Sequence, residues 1–192
     1  MESGWPMAQG TSFELQRFVA DCRAALADGD PAAALHAVVE RAVAEPAAVL
    51  RALGEPQRAH VQKLHHASDL TVLNVIWAPG MTILPHDHRM CAVIGIYGGR
   101  EDNIFWQRID GSSDGKLRAV GARALGTRDC ALLPREAIHS VTNPIARLSA
   151  AIHVYAGDFF ATERSEWDAE TLLERRYDVE RALRSFEQAK SA

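Results

Sequence analysis

Cysteine is scarce in this chain. Only Cys22, Cys91 and Cys130 occur in 192 residues, odd in number and without a CxxC pair, which argues against a disulfide framework. Lys and Arg form no block of five or more, and the formal net charge is −4. That balance counts against a general nucleic-acid or membrane-surface binder. No apolar run approaches the roughly 20 residues of a membrane-spanning helix. Met1 to Gly10 lacks the basic-then-apolar order of a secretory leader, so a cytoplasmic protein is expected. Internal repeats and low-complexity tracts are also missing. What is present is a chain 47% hydrophobic and 24% charged, enough to bury one domain-sized core.

The first sixty residues read as helix. Thr11-Ser12-Phe13-Glu14 has capping-box spacing, and Leu15, Phe18, Val19, Cys22 and Leu26 recur at helical intervals. Asp30-Pro31 opens a second helix that should end before Pro46, and Ala47 to Leu53 forms a third, stopped by Gly54. No chemistry is spaced along these faces, so residues 1–64 read as a helical cover belonging to the same domain. Residues 65–160 change texture. Strands are expected at Leu70–Trp77, Cys91–Tyr97, Ile104–Ile109, Leu117–Leu125, Asp129–Leu133, Ile138–Thr142 and Leu148–Tyr155, divided by turn residues. That rhythm indicates an all-β sandwich or barrel. Residues 161–192 read as a helical extension, with Asp178 capping a helix whose apolar stripe is Val179, Ala182, Leu183 and Phe186.

Four of the eight histidines, His86, His88, His139 and His153, fall in the β region after Gly80. Residues two apart on a strand share a face, so His86 and His88 can present two imidazoles to one ion. Asp87 would then point the other way, as a structural carboxylate. The competing reading is a set of buried histidines satisfied by backbone.

In this stretch the chain resembles the cupin superfamily. Gly80, five residues, His86-Asp87-His88, three residues, Ala92, six residues and Gly99 follow the first cupin motif, with Ala92 where a glutamate ligand usually stands. Pro134, His139 and Asn143 follow the second motif, with Glu136 in place of its glycine. The resemblance implies an all-β core, a cupin double-stranded β-helix (jelly-roll barrel) with N-terminal α-helices and a C-terminal helix. It also implies a metal held by His86, His88 and His139. Imidazole ligands suit Fe, Zn, Cu and Ni, and an open facial site suits non-haem Fe(II). Without a carboxylate ligand the site keeps its positive charge, which favours a thiolate or carboxylate substrate.

Within the cupins the chain looks like the thiol dioxygenases, the group of cysteine dioxygenase and 3-mercaptopropionate dioxygenase. These hold Fe(II) with three histidines and use O2 to convert a small thiol to its sulfinic acid. Their Ser-x-His-x-Tyr triad is matched here by Ala151, His153 and Tyr155, so the histidine and tyrosine are kept and the serine is not. The resemblance assigns His153 and Tyr155 to catalysis. Some members cross-link a cysteine at the glutamate position to the tyrosine. That position is Ala92 here, and Cys91 should face away, so no cross-link is expected. The cysteine-type enzymes place a carboxylate-binding arginine upstream, where this chain reads Gln62-Lys63-Leu64-His65-His66. The mercaptopropionate type places it downstream of the tyrosine, where Arg164 stands as substrate-binding residue. Arg164 could equally be a surface residue before a helical turn over Glu166–Thr171. His65 and His66 read as exposed loop histidines, Trp77 and Trp106 as core.

The expected function is therefore a non-haem Fe(II) thiol dioxygenase taking a small thiol carboxylate and O2 as partners. Zn, Ni or another divalent metal could occupy the protein as isolated. Self-association is allowed but not specified. Two other readings stand beside it: a cupin oxygenase of a non-sulfur substrate such as a diketone or phenol, and a non-catalytic metal-binding cupin sensor. Fold alone does not choose among them.

Overall fold

In the computed structural model, residues 12–111 and 115–189 are described. Three helices come first, α1 (Leu15–Leu26), α2 (Pro31–Val43) and α3 (Pro46–Leu53). Eleven strands follow: β1 (His60–His66), β2 (Thr71–Trp77), β3 (Thr82–Asp87), β4 (Ala92–Gly98), β5 (Arg100–Arg108), β6 (Leu117–Gly126), β7 (Cys130–Leu133), β8 (Ile138–Thr142), β9 (Ser149–Tyr155), β10 (Ser165–Trp167) and β11 (Glu174–Arg176). The last element is α4 (Val179–Gln188).

The strands form two antiparallel sheets, ordered β1-β2-β9-β4-β7 and β11-β10-β3-β8-β5-β6. From β3 onward the chain passes repeatedly between them, pausing for the β5–β6 and β10–β11 hairpins. This is the jelly-roll, double-stranded β-helix architecture expected from the two motifs, with helices at both ends of the chain. Among the described residues, no helix is long and apolar enough to cross a membrane.

Strands β2 and β9 are buried along their whole length because the first sheet is covered on both faces. Alternate side chains go opposite ways. Leu73, Val75, Trp77 and Ile94 pack inside the barrel, whereas Val72, Ile76, Val93 and Ile152 pack with Leu35, Val39 and Val43 of the helical cover. Burying Val39 and Val43 stabilises the fold by about 1.5–3 kcal/mol each relative to exposure. Close approach of α2 to β4 depends on Gly95, where an added Cβ would lie 2.6 Å from Val39 Cγ1 and 2.7 Å from Val43 Cγ1.

The helix signals hold at α2, where Asp30 Oδ1 accepts from the Ala33 amide (3.2 Å) and Pro31 is the first helical residue. Asp178 caps α4 in the same way through the Arg181 amide. The expected capping box before α1 does not form: Glu14 is itself the N-cap and its side chain makes no cap bond, while Thr11 lies outside the described residues.

Two segment assignments need correction. The β-structure begins at His60, ahead of the expected boundary at 65, because β1 is an edge strand whose exposed polar residues hide its alternation. Likewise residues 161–192 are not wholly helical, since β10 and β11 extend the second sheet before α4 begins. At three residues each, they are too short for a periodic pattern to show. The Glu166–Thr171 stretch accordingly starts in strand rather than in a helical turn.

Candidate metal centre

His86 and His139 are directly opposed residues of the β3–β8 pair, so their rings share the barrel-facing side. The β3–β8 register shifts between Ile83 and His86, and β3 ends at Asp87. His88 lies just past the strand, before a turn in which Arg89 takes a left-handed backbone (φ 56). Its ring nevertheless returns to the same point. His86 Nε2 and His88 Nε2 are 3.1 Å apart, and His88 Nε2 and His139 Nε2 are 3.4 Å apart. All three ligand atoms lie within 4.8 Å of one another, and all three residues are buried.

The outer nitrogens decide what the inner ones can do. His86 Nδ1 donates to the Leu84 carbonyl (2.8 Å) and His139 Nδ1 donates to Asn103 Oδ1 (2.8 Å). Burial drives the His86 ring down from an ordinary 6.5 to about 4, and holds His88 and His139 well below the usual histidine range. With Nδ1 protonated, the neutral His86 and His139 rings turn Nε2 lone pairs toward each other and toward His88 Nε2. Such lone pairs repel unless a cation sits among them, so the donor set fits a divalent metal ion. Asp87, which alternates with the two histidines, serves the loop instead. Its carboxylate accepts from Arg89 Nε (2.7 Å) and from the Ser165 amide (2.8 Å).

His153 and Tyr155 lie on the barrel-facing side of β9. His153 Nδ1 is 3.1 Å from the Tyr155 hydroxyl, and the Tyr155 ring packs edge-on to His88 with centroids 5.1 Å apart. Burial raises the Tyr155 hydroxyl well above its ordinary range, with Tyr177 adding to the effect, so it stays protonated at neutral pH. Opposite Tyr155 on β4 stands Ala92, whose methyl leaves room beside the phenol.

Arg164 is not a surface residue: it is 4% exposed. Its guanidinium packs 4.1 Å from the Phe159 ring centroid and 4.3 Å from that of Tyr177. Nη1 donates to the Phe159 and Thr162 carbonyls (2.6 and 3.1 Å), whereas Nε and Nη2 have no partner among the described residues. Those two N–H groups form the side-on fork that matches a carboxylate.

Above the histidines lies a small cavity with an open mouth. Its walls are apolar, including Leu73, Val75, Ile83 and Val141, and α4 closes one side with Leu183 and Phe186. Phe159 and Tyr177 line it, and Arg164 lies behind them. Trp77, expected only as core, also lines this space, and its buried Nε1 has no partner among the described residues. Trp106 Nε1 instead donates to Ser140 Oγ (3.0 Å). His65 and His66 stand on β1 rather than on a loop, with His66 Nε2 2.9 Å from Asp158 Oδ1.

Sequence reasoning missed Asn103, Glu101 and Tyr177. The expected strand begins only at Ile104, yet β5 starts at Arg100 and its alternation buries Glu101 and Asn103 completely or nearly so. Only that period-two pattern, continued to Phe105, could have exposed them.

No protein-family model matches the chain. Similar solved structures include oxalate decarboxylase from Bacillus subtilis, with TM-score 0.39, 16% identity, 49% of this chain and 22% of that one covered. Another is a cupin family protein with a double-stranded β-helix fold from Methanocaldococcus jannaschii (TM-score 0.44, 11% identity, 55% and 86% covered). A third is a conserved protein with a double-stranded β-helix domain from Klebsiella pneumoniae (0.41, 15%, 57% and 82%). The chain thus spans about a fifth of the oxalate decarboxylase. These likenesses are too slight to assign an activity.

Proposed function

We propose that this protein is a non-haem Fe(II) thiol dioxygenase that converts a small thiol carboxylate, of the 3-mercaptopropionate or cysteine kind, to its sulfinic acid. The observation that carries this reading is the all-imidazole cluster: three Nε2 atoms converge, and no carboxylate among the described residues joins them. His86, His88 and His139 would hold the metal. A bound Fe(II) would supply binding and activation of O2 and of the thiolate. The overall change, RSH + O2 → RSO2H, needs no further reductant.

The rest of the work belongs to the chain. The apolar walls exclude water from the reacting groups, which strengthens every polar contact inside. Tyr155, its hydroxyl held by His153, packs its ring edge-on to His88 within the cavity. Arg164 supplies two unpaired N–H donors to a carboxylate that enters between Phe159 and Tyr177, and that clamp fixes the thiol end toward the histidines.

Anaerobic Fe(II) loading, followed by O2 uptake with 3-mercaptopropionate, cysteine and cysteamine, tests the reading. Sulfinate formed mole for mole with O2 consumed is expected for the two carboxylates, and little turnover for cysteamine, which has none. Iron-loaded protein inert to all three would remove it. The apolar cavity favours a second reading, an oxygenase of a non-sulfur diketone or phenol; there O2 uptake would need no thiol and Arg164 would be dispensable.

A further inference from the structure

Glu101, on β5, is 0% exposed, and neither carboxylate oxygen has a hydrogen-bond partner among the described residues. A carboxylate taken out of water without a partner is strongly disfavoured. Across the barrel, His153 Nε2 is also buried and also lacks a hydrogen bond. The two orphans face each other: His153 Nε2 is 3.7 Å from Glu101 Oε1, longer than a hydrogen bond but within ion-pair reach. On β9 itself the residue two positions before His153 is Ala151, which offers this ring no polar group. The other ring nitrogen, Nδ1, is already committed to the Tyr155 hydroxyl at 3.1 Å.

We infer that Glu101 is a positioning residue, which accepts from His153 Nε2–H and thereby sets the tautomer of the Glu101–His153–Tyr155 chain. With the proton held on Nε2, Nδ1 is the acceptor and the Tyr155 O–H points to it. The phenol oxygen then turns its lone pairs to the cavity, where they accept from a donor on the bound substrate. Glu101 touches neither substrate nor metal ligands in this scheme. The role of Tyr155 toward substrate rests on the function proposed above, but the tautomer does not.

The test is long-range 1H–15N NMR of the metal-free, full-length protein, with the His153 signals identified by their loss in His153→Gln. The Nε2–H tautomer is expected for the wild type, and a shift toward Nδ1–H in Glu101→Leu. A wild type in the Nδ1–H form overturns the inference, whether or not the variant folds. So does a folded Glu101→Leu protein whose tautomer is unchanged. Where thiol-dependent uptake is found, Glu101→Leu should lower kcat about 10-fold or more while leaving Fe(II) affinity in place. Absence of thiol turnover with the expected tautomers would count against the proposed function alone.

Discussion

Asn103 on β5 accepts from His139 Nδ1 on β8 at 2.8 Å, and this contact decides which nitrogen of His139 faces the other two histidines. The β5–β8 pairing sets Phe105, not Asn103, opposite His139, so the amide reaches its ring diagonally along the sheet. An outer partner of this kind fixes both tautomer and ring angle before any ion arrives.

Asn103→Leu should therefore weaken metal binding by roughly 10- to 100-fold while the fold persists. Competition for Zn(II) or Fe(II) against a chelator measures it. Unchanged affinity would show that His139 is held by packing alone.

His139→Ala should abolish metal binding, because it removes the β8 ligand of the set. Tyr155→Phe should retain the metal and slow turnover, since the phenol contacts His88 and His153 but is not in the cluster. Metal analysis alongside steady-state rates separates the two. Full activity in Tyr155→Phe would end its assignment to catalysis.

Arg164→Lys keeps a charge and loses the side-on fork. The KM for a thiol carboxylate should rise about 10- to 100-fold, as expected for hydrogen bonds to a charged group. Cysteamine, without a carboxylate, should lose nothing further. An equal effect on both thiols would place Arg164 in structure rather than recognition.

The metal-free protein should lose stability in mild acid. Burial holds the His86 ring near 4, below the ordinary 6.5 that it regains on unfolding. Between these values the unfolded chain binds a proton that the folded chain does not, so stability falls as pH drops through that window and levels off below it. His88 and His139 act in the same direction. Urea midpoints from neutral pH down to about pH 4 record the slope, and His86→Asn should make it shallower. A profile without slope would contradict the buried, neutral rings.

Gly95→Ala should destabilise the protein by about 1–3 kcal/mol, because its methyl meets Val39 and Val43 before α2 can move away. Metal affinity should be unchanged, since the new methyl lies on the helix-covered side of β4. Chemical unfolding with and without Zn(II) reads both quantities.

Much of the strand series was legible because turn residues punctuate it: Ile138–Thr142 is found with the expected bounds, and Leu70–Trp77 and Leu148–Tyr155 each differ by one residue at the start. Of the three clustered histidines, His86 and His88 were legible through their spacing, whereas His139 joined them only through the resemblance to the second cupin motif. The paired orphans Glu101 and His153 were not legible. They lie on strands of different sheets, and a charged residue in a polar run gives no local sign that alternation turns it inward.

The sequence by itself thus determined the architecture, since strand period, turn residues and helix caps are local and each acts within a few residues. It also put His86 and His88 on one face through their spacing, while His139 was added to the set by the motif resemblance. Tertiary structure alone decided which nitrogen of each ring faces inward, that Arg164 is buried with Nε and Nη2 unpartnered among the described residues, and that α4 closes an apolar cavity. Those outcomes depend on partners far apart in sequence, and only packing the two sheets against each other brings such partners within hydrogen-bond or contact distance.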